Sequence, residues 1–370
     1  MTRVVPILLT PGPLTTRLET RQAMLRDWGS RDDSFIAMTA EIRQRLLAVA
    51  GGGDRHVAVP LQGSGTFIVE AAIGTLLGPN DKLLVLINGA YGERILTIAQ
   101  RLGRRALALR WPENQAVEPD LLEQTLRETP DITHVALVHC ETTTGLENPL
   151  GAIAAITARH GKAFLVDAMS SFGALKIDIG RTPVTAVMAS SNKCLEGAPG
   201  LGFAIVEKTA LRAAQGNNPS LSLDLYEQWQ GFEKNGQWRF TPPVQVAAAL
   251  LAALRQLETE GGPEARLRRY RENFDILARG MERLGFRLFL SPADQAPIIA
   301  TFHYPTTAGF HFPAFYQALA AEGFLIYPGK LSQADTFRIG CIGAIGGDDF
   351  RRLLQAIEVI AKDWTNTKSR

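Results

Sequence analysis

Cysteine is scarce in this chain. There are three in 370 residues, Cys140, Cys194 and Cys341, and no two stand in CxxC spacing. So odd and scattered a set builds neither a disulfide frame nor a thiolate zinc site. The six histidines include no HExxH and no close pair, which argues against metal catalysis. Long hydrophobic runs are missing as well. No stretch reaches the ~20 uninterrupted apolar residues of a membrane span, and Pro6 and Pro11-Gly12-Pro13 interrupt the apolar start of the chain, so no secretory leader is read there. Neither sign of charge dominates: 39 Lys and Arg against 37 Asp and Glu leave a net charge of +2. That excess gives no whole-protein attraction for nucleic acid or an anionic membrane. Small molecules are therefore the expected partners and the cytoplasm the expected compartment. Any pull on an anionic substrate has to be local.

What is present is an alternation of strand-like and helical segments. Lys82–Ile87, Thr133–Val138 and Ala163–Asp167 are continuous apolar runs, the pattern of strands buried on both faces of a mostly parallel sheet. Helical patterns over 94–102 and 153–160 lie between them, and the result is an α/β sandwich. At 370 residues the chain exceeds the ~250–300 over which one core usually grows, so two domains are expected. A long helix over 245–260 stops at Gly261-Gly262-Pro263, a second over 264–284 follows, and an α+β pattern completes the chain. The expected division is a large domain over 15–262 and a small one made of 1–14 and 263–370.

The most informative segment is Phe164-Leu-Val-Asp-Ala-Met-Ser-Ser-Phe-Gly173, in which Asp167 closes an apolar strand. In open α/β sheets, ligands collect beyond the carboxyl ends of the strands. A second apolar run, Ala186 to Ser191, ends in Asn192-Lys193-Cys194 and a Gly-rich turn. Taken singly, Asp167 suits a helix cap and Lys193 a solvated loop. Together they match one requirement. Pyridoxal 5'-phosphate needs a lysine for its Schiff base and a carboxylate at its pyridine nitrogen.

A phosphate cradle lies upstream. Gln62-Gly-Ser-Gly-Thr66 precedes a helical run, and small residues at a helix start leave N–H groups free for an anion. The third glycine of the dinucleotide fingerprint is absent, and so is the Gly-Lys-Ser/Thr of a Walker loop. A single phosphate fits better, although a plain capped helix would read the same way. Tyr91 in Asn88-Gly-Ala-Tyr-Gly92 could stack on a flat ring. Arg338, inside the apolar strand Thr336–Ile339, calls for an anion: a substrate carboxylate, or an internal salt bridge.

The order of these motifs resembles the class V aminotransferase group of fold-type I pyridoxal-phosphate enzymes, and within it the 2-aminoethylphosphonate–pyruvate aminotransferases. The resemblance runs from about Leu8 to about Ile360. It is carried by Leu9-Thr-Pro-Gly-Pro-Leu-Thr-Thr16, Leu61-Gln-Gly-Ser-Gly-Thr66, His139-Cys-Glu-Thr-Thr-Thr-Gly145, Val166-Asp-Ala-Met-Ser-Ser-Phe-Gly173, Ser191-Asn-Lys-Cys194, Ser220-Leu-Ser-Leu-Asp-Leu-Tyr226, Trp238-Arg-Phe-Thr-Pro242, Tyr327-Pro-Gly-Lys330 and Phe337-Arg-Ile-Gly340.

The resemblance implies a set of roles. Lys193 carries the cofactor and moves the proton, and Asp167 pairs with the pyridinium nitrogen. Tyr91 covers the ring and Thr143 approaches its hydroxyl. Ser64, Gly65 and Thr66 hold the phosphate with help from Asn192. Thr241 reaches it from the neighbouring subunit of a homodimer with shared sites. Arg338 binds the substrate anion, and Pro11, Gly12 and Pro13 line the substrate pocket. The implied reaction moves the amine of 2-aminoethylphosphonate to pyruvate. The alternative is another amine and 2-oxo acid pair, such as alanine or serine with glyoxylate. One departure is Arg31, where the family pattern leads one to expect an aromatic residue after Trp28-Gly-Ser30.

Overall fold

The structure is a computed structural model that describes residues 5–307, 309–330 and 334–366. Its centre is a seven-stranded sheet. In chain order the strands are β1 (His56–Gln62), β2 (Lys82–Ile87), β3 (Arg105–Arg110), β4 (His134–Val138), β5 (Ala163–Asp167), β6 (Ala186–Ser190) and β7 (Leu201–Glu207). Across the sheet they run β1-β7-β6-β5-β4-β2-β3. Only β7 is reversed, pairing antiparallel with both β1 and β6, while the pairs from β6 to β3 are parallel.

The apolar runs form strands because both faces are covered. Side chains alternate across a strand, so Phe164 and Val166 of β5 enter one apolar cluster and Leu165 enters the other. On the second face lie α1 (Gly65–Leu76), α2 (Ala90–Arg101) and the helix Leu225–Asn235. The first face carries helices Asp33–Val49, Pro119–Glu128 and Leu150–Arg159 together with α3 (Val244–Glu260). Burial of Phe164, 1% exposed, illustrates the scale: truncating such a side chain to Ala costs roughly 3–5 kcal/mol.

Gly261 ends α3 in the left-handed region (φ 104°), where a Cβ would be strained, and α4 (Gly262–Arg283) starts at once. Beyond it lies a three-stranded antiparallel sheet ordered β8-β10-β9, from β8 (Ile299–His303), β9 (Tyr327–Pro328) and β10 (Thr336–Gly340). An aromatic-rich cluster with Phe302, Phe315, Phe337 and Phe350 covers it, and Leu9 from the chain start joins that cluster. Ile7–Leu8 pairs in parallel with Phe324–Leu325, which ties the start of the chain to this C-terminal part. Among the described residues, no helix is long and apolar enough to cross a membrane.

Candidate active site

The parallel register of β4, β5 and β6 sets the site. Asp167 stands opposite Val138 on one side and Met188 on the other, so the carboxyl ends of β4 and β5 lie level and β6 runs two residues further. Lys193 follows β6 by three residues and emerges beside Asp167 on the wall of one cavity. Ser64, Gly65, Thr66, Tyr91 and Asn192 complete the part of that wall expected from sequence.

Asp167 is 5% exposed. Burial raises its pKa to about 6, against the Met169 N–H, which donates to Oδ1 at 3.0 Å and favours the charged form. The Lys193 Nζ donates to the Pro11 carbonyl at 2.6 Å and to Gly12 O at 3.4 Å, and among the described residues no carboxylate is bonded to it. Burial brings its pKa down to about 8. A carboxyl that loses its proton reluctantly and an amine that gives one up readily thus share one cavity, as acid–base work requires.

On the same cavity wall Ser64 caps α1 in extended conformation yet spends no side-chain hydrogen bond on its own helix. Its hydroxyl, and the first N–H groups of α1, stay available to an anion. A Cβ added at Gly65 would lie 2.6 Å from Met169 Sδ, so the helix start sits tight against the turn after β5. Arg94 adds a cation: its Nη1 donates to Thr66 Oγ1 at 3.1 Å, and its guanidinium lies 4.9 Å from the Tyr91 ring centre. Lys330 Nζ is 4.8 Å from the same centre. The Tyr91 N–H donates to the buried Glu141 carboxylate at 3.1 Å.

Several expected residues stand elsewhere. The Thr143 hydroxyl is turned away to donate to Glu141 Oε1 and accept from the Ala90 N–H, and Thr142 occupies the cavity wall in its place. Arg338 is outside that wall but adjoins it, with Nη1 donating to the Thr142 carbonyl at 2.9 Å and Nε to the Pro328 carbonyl at 3.0 Å. It makes no ion pair among the described residues, so the salt-bridge alternative is not what holds it. Pro11 and Gly12 approach Lys193, while Pro13 is exposed. Thr241 and Arg31 are exposed and do not line the cavity of their own chain. Arg94, Met169 and Ser190 are wall residues that the sequence reading does not assign to the site. Arg94 had a usable signal, since it follows Tyr91 by three positions on one helix face.

The model of the class-V aminotransferases matches residues 19–333. The chain belongs to the class-V aminotransferase family. It is 53% identical over 358 residues to a 2-aminoethylphosphonate–pyruvate transaminase of Pseudomonas putida, covering 97% of each chain. It is 54% identical over 341 residues to a transaminase of the same name from Burkholderia lata, covering 92% of this chain and 91% of the relative. Among solved structures, the alanine–glyoxylate aminotransferase of Nostoc sp. superposes with a TM-score of 0.90 at 25% identity, covering 97% and 96%. The pyridoxamine–pyruvate aminotransferase of Mesorhizobium loti gives 0.85 at 26%, covering 100% and 94%. As a class-V aminotransferase of fold type I, the chain is an enzyme that works with pyridoxal phosphate on small amines and 2-oxo acids.

The residues present suit that cofactor. The uncapped helix start can take a phosphate, and among the described residues the buried Asp167 forms no direct ion pair and the Lys193 amine is bonded by main-chain carbonyls.

Proposed function

We propose that this enzyme transfers the amino group of 2-aminoethylphosphonate to pyruvate, releasing phosphonoacetaldehyde and alanine. The observation that carries the chemistry is the convergence of Asp167 and Lys193 on one cavity from the ends of adjacent parallel strands. Near-full-length identity above half to the phosphonate transaminases supports the choice of substrates.

When bound, pyridoxal phosphate supplies an aldehyde for the amine and a ring that accepts the electrons of C–H cleavage. Asp167 offers its carboxylate to the protonated ring nitrogen, a cation that relieves its desolvation. Ser64, the N–H groups of Gly65 and Thr66, and Asn192 hold the phosphate, and Arg94 adds charge there. Lys193 is the attachment point. Its amine takes the proton from the substrate carbon that bears nitrogen, and a pKa of about 8 leaves enough of it neutral for that task. Thr142, which lines the cavity while the Thr143 hydroxyl is bonded to Glu141, would be the threonine next to the ring. Arg338 is the cation for the substrate anion, and one guanidinium can accept a phosphonate in the first half-reaction and a carboxylate in the second.

The enzyme works as a cytoplasmic homodimer in this reading, with Thr241 of the partner subunit completing the phosphate site. Leu25, Phe67 and Phe240 are exposed apolar residues that such a contact would cover. In the same reading the chain divides into a large domain, 15–262, and a small one of 1–14 with 263–370. A substrate screen tests the reaction. The purified holoenzyme is incubated with 2-aminoethylphosphonate, alanine or serine, and the visible spectrum shows which amine converts the cofactor to its amine form. Conversion by α-amino acids alone would move the assignment to the alanine or serine pairs with glyoxylate.

A further inference from the structure

A group of charged side chains lies buried beneath the Lys193 loop and has no part in the chemistry above. Glu196, Arg266 and Tyr270 are 0% exposed. The Glu196 Oε1 accepts from Arg269 Nη2 at 2.8 Å and from the Tyr270 hydroxyl at 2.7 Å. Arg266 donates through Nη1 to the Cys194 carbonyl at 2.8 Å, and through Nε and Nη2 to Glu260 Oε2 at 2.9 and 2.7 Å. Arg269 Nε reaches Glu260 Oε1 at 2.8 Å. Two carboxylates thus face the guanidiniums of Arg266 and Arg269, and Arg17 approaches Glu260 at 3.9 Å from the surface.

Its attachments define a ring of contacts. Glu196 is the only non-glycine residue among those described with positive φ, at 62°. Its N–H donates to the Lys193 carbonyl at 2.8 Å, and Gly197 N–H donates to Ser191 O at 2.8 Å, closing the turn that presents the lysine. On the far side Arg269 Nη1 donates to the Gly343 carbonyl, and the next residue, Ala344, donates its N–H to Thr15 O at 2.7 Å. Thr15 lies four residues after Pro11, whose carbonyl receives the lysine amine. The lysine is therefore gripped at its backbone through Glu196 and at its amine through Pro11, and the ion group joins the two grips.

Stability does not explain this arrangement. Buried ion pairs are often replaceable by apolar side chains without loss, and a left-handed turn is ordinarily given to Gly or Asn. A strained residue is retained where its surroundings over-determine it, and such residues cluster at functional sites.

We propose that Glu196 is a positioning residue for Lys193: its buried carboxylate, clasped by Arg269 and Tyr270, holds the turn that aims the lysine at the cofactor. This rests on the reading that Lys193 is the attachment point.

The test uses Glu196→Gly, which accepts the left-handed turn but removes the carboxylate, and Glu196→Gln, which keeps an acceptor for Tyr270 and loses the charge. Tyr270→Phe removes only the hydroxyl and serves should either of the others fail to fold. Three readouts are taken: the visible circular dichroism of the bound cofactor, the labelling rate of Lys193 in the apoprotein by a small amine-directed reagent followed by mass spectrometry, and steady-state kinetics. The expected result for Glu196→Gly is a changed visible circular dichroism, labelling at least about 3-fold faster, and kcat down roughly 10-fold with KM within about 2-fold, since orientation costs are paid in the chemical step. Glu196→Gln and Tyr270→Phe should fall between this variant and wild type. Unchanged dichroism and labelling in folded Glu196→Gly, or in Tyr270→Phe if that is the folded variant, would overturn the proposal even if the melting temperature drops. Failure of wild-type Lys193 to take up the cofactor covalently would instead overturn the underlying reading.

Discussion

The Lys193 amine donates a 2.6 Å hydrogen bond to the carbonyl of Pro11, a residue 182 positions earlier in the chain. The N-terminal segment therefore closes directly on the reactive nitrogen. Gly12 makes this approach possible. Its φ is 112°, and a Cβ there would lie 2.7 Å from Lys193 Cδ and 2.8 Å from Asn192 O. Gly12→Ala is expected to cost about 1–3 kcal/mol of strain and to slow covalent cofactor uptake. Stopped-flow absorbance of apoprotein mixed with pyridoxal phosphate measures the second effect, and an uptake rate equal to wild type would refute the close approach.

Asp167 gives a prediction in which stability and function move in opposite directions. Its folded pKa of about 6 lies above the ordinary 3.8 because it is buried. The native apoprotein then binds more protons than the unfolded chain between those values. The group's contribution is fully present below about pH 4 and is lost as pH rises through 6. A shift of about two units corresponds to about 3 kcal/mol. Asp167→Asn retains an acceptor for the Met169 N–H and removes the buried charge. Its apoprotein should melt several degrees higher than wild type at pH 7.5 and about the same near pH 4. Transamination should fall roughly 10²–10³-fold. Equal melting of the two apoproteins at pH 7.5 would mean that the carboxylate is well solvated.

Lys193 runs in the other direction. Burial lowers its folded pKa from 10.5 to about 8. Its contribution to stability is full above about pH 10.5 and is lost as pH falls through 8. The wild-type apoprotein should thus gain stability between pH 8 and 10.5. Lys193→Met should flatten that slope and abolish covalent cofactor binding. Urea denaturation of both apoproteins across this range checks the sign.

Much of the frame was legible because a buried parallel strand leaves an apolar run that the eye can find. The stretches Lys82–Ile87 and Ala163–Asp167 appear as strands with the expected ends. The helices over 153–160, 245–260 and 264–284 appear within a few residues of the expected ends, whereas Asp33–Val49, Pro119–Glu128 and Leu225–Asn235 are not among the expected elements. The reversal of β7 was not legible, because strand direction is a property of the whole sheet and leaves no local pattern. At the site, Asp167 and Lys193 could be paired from their positions at strand ends. Thr143 could not be told from Thr142, since neighbouring hydroxyls in a tight turn differ only in where the backbone aims them, and here the Glu141 carboxylate takes the Thr143 side chain. Glu196 stayed hidden for a similar reason: its partners Arg269 and Tyr270 lie more than 70 residues on, across a contact that only folding creates.

Arg94 bears on cofactor retention. It reaches the phosphate end of the cavity through Thr66 and lies against Tyr91. Being exposed, it is worth about 0.5–1.5 kcal/mol there. Arg94→Gln should raise the dissociation constant for pyridoxal phosphate about 3- to 10-fold, with a smaller effect at high salt because exposed charge is screened. Fluorescence titration of the apoprotein at two salt concentrations reads both effects.

Arg338 separates charge from geometry. It is 5% exposed and uses Nε and Nη1 to donate to the carbonyls of Pro328 and Thr142, an arrangement that fixes the plane of the guanidinium. Such a plane presents a fork that suits a carboxylate or a phosphonate, whereas a lysine would offer a point charge on a flexible stem. Arg338→Lys should therefore keep the site cationic yet raise KM roughly 10- to 100-fold, the value of one or two charge-assisted hydrogen bonds at about 1.5–3 kcal/mol. If one guanidinium serves both half-reactions, KM for the amine and for the 2-oxo acid should rise together, with kcat less affected. A rise confined to one of the two substrates, measured by varying each at saturating concentration of the other, would show that the two anions bind in different places.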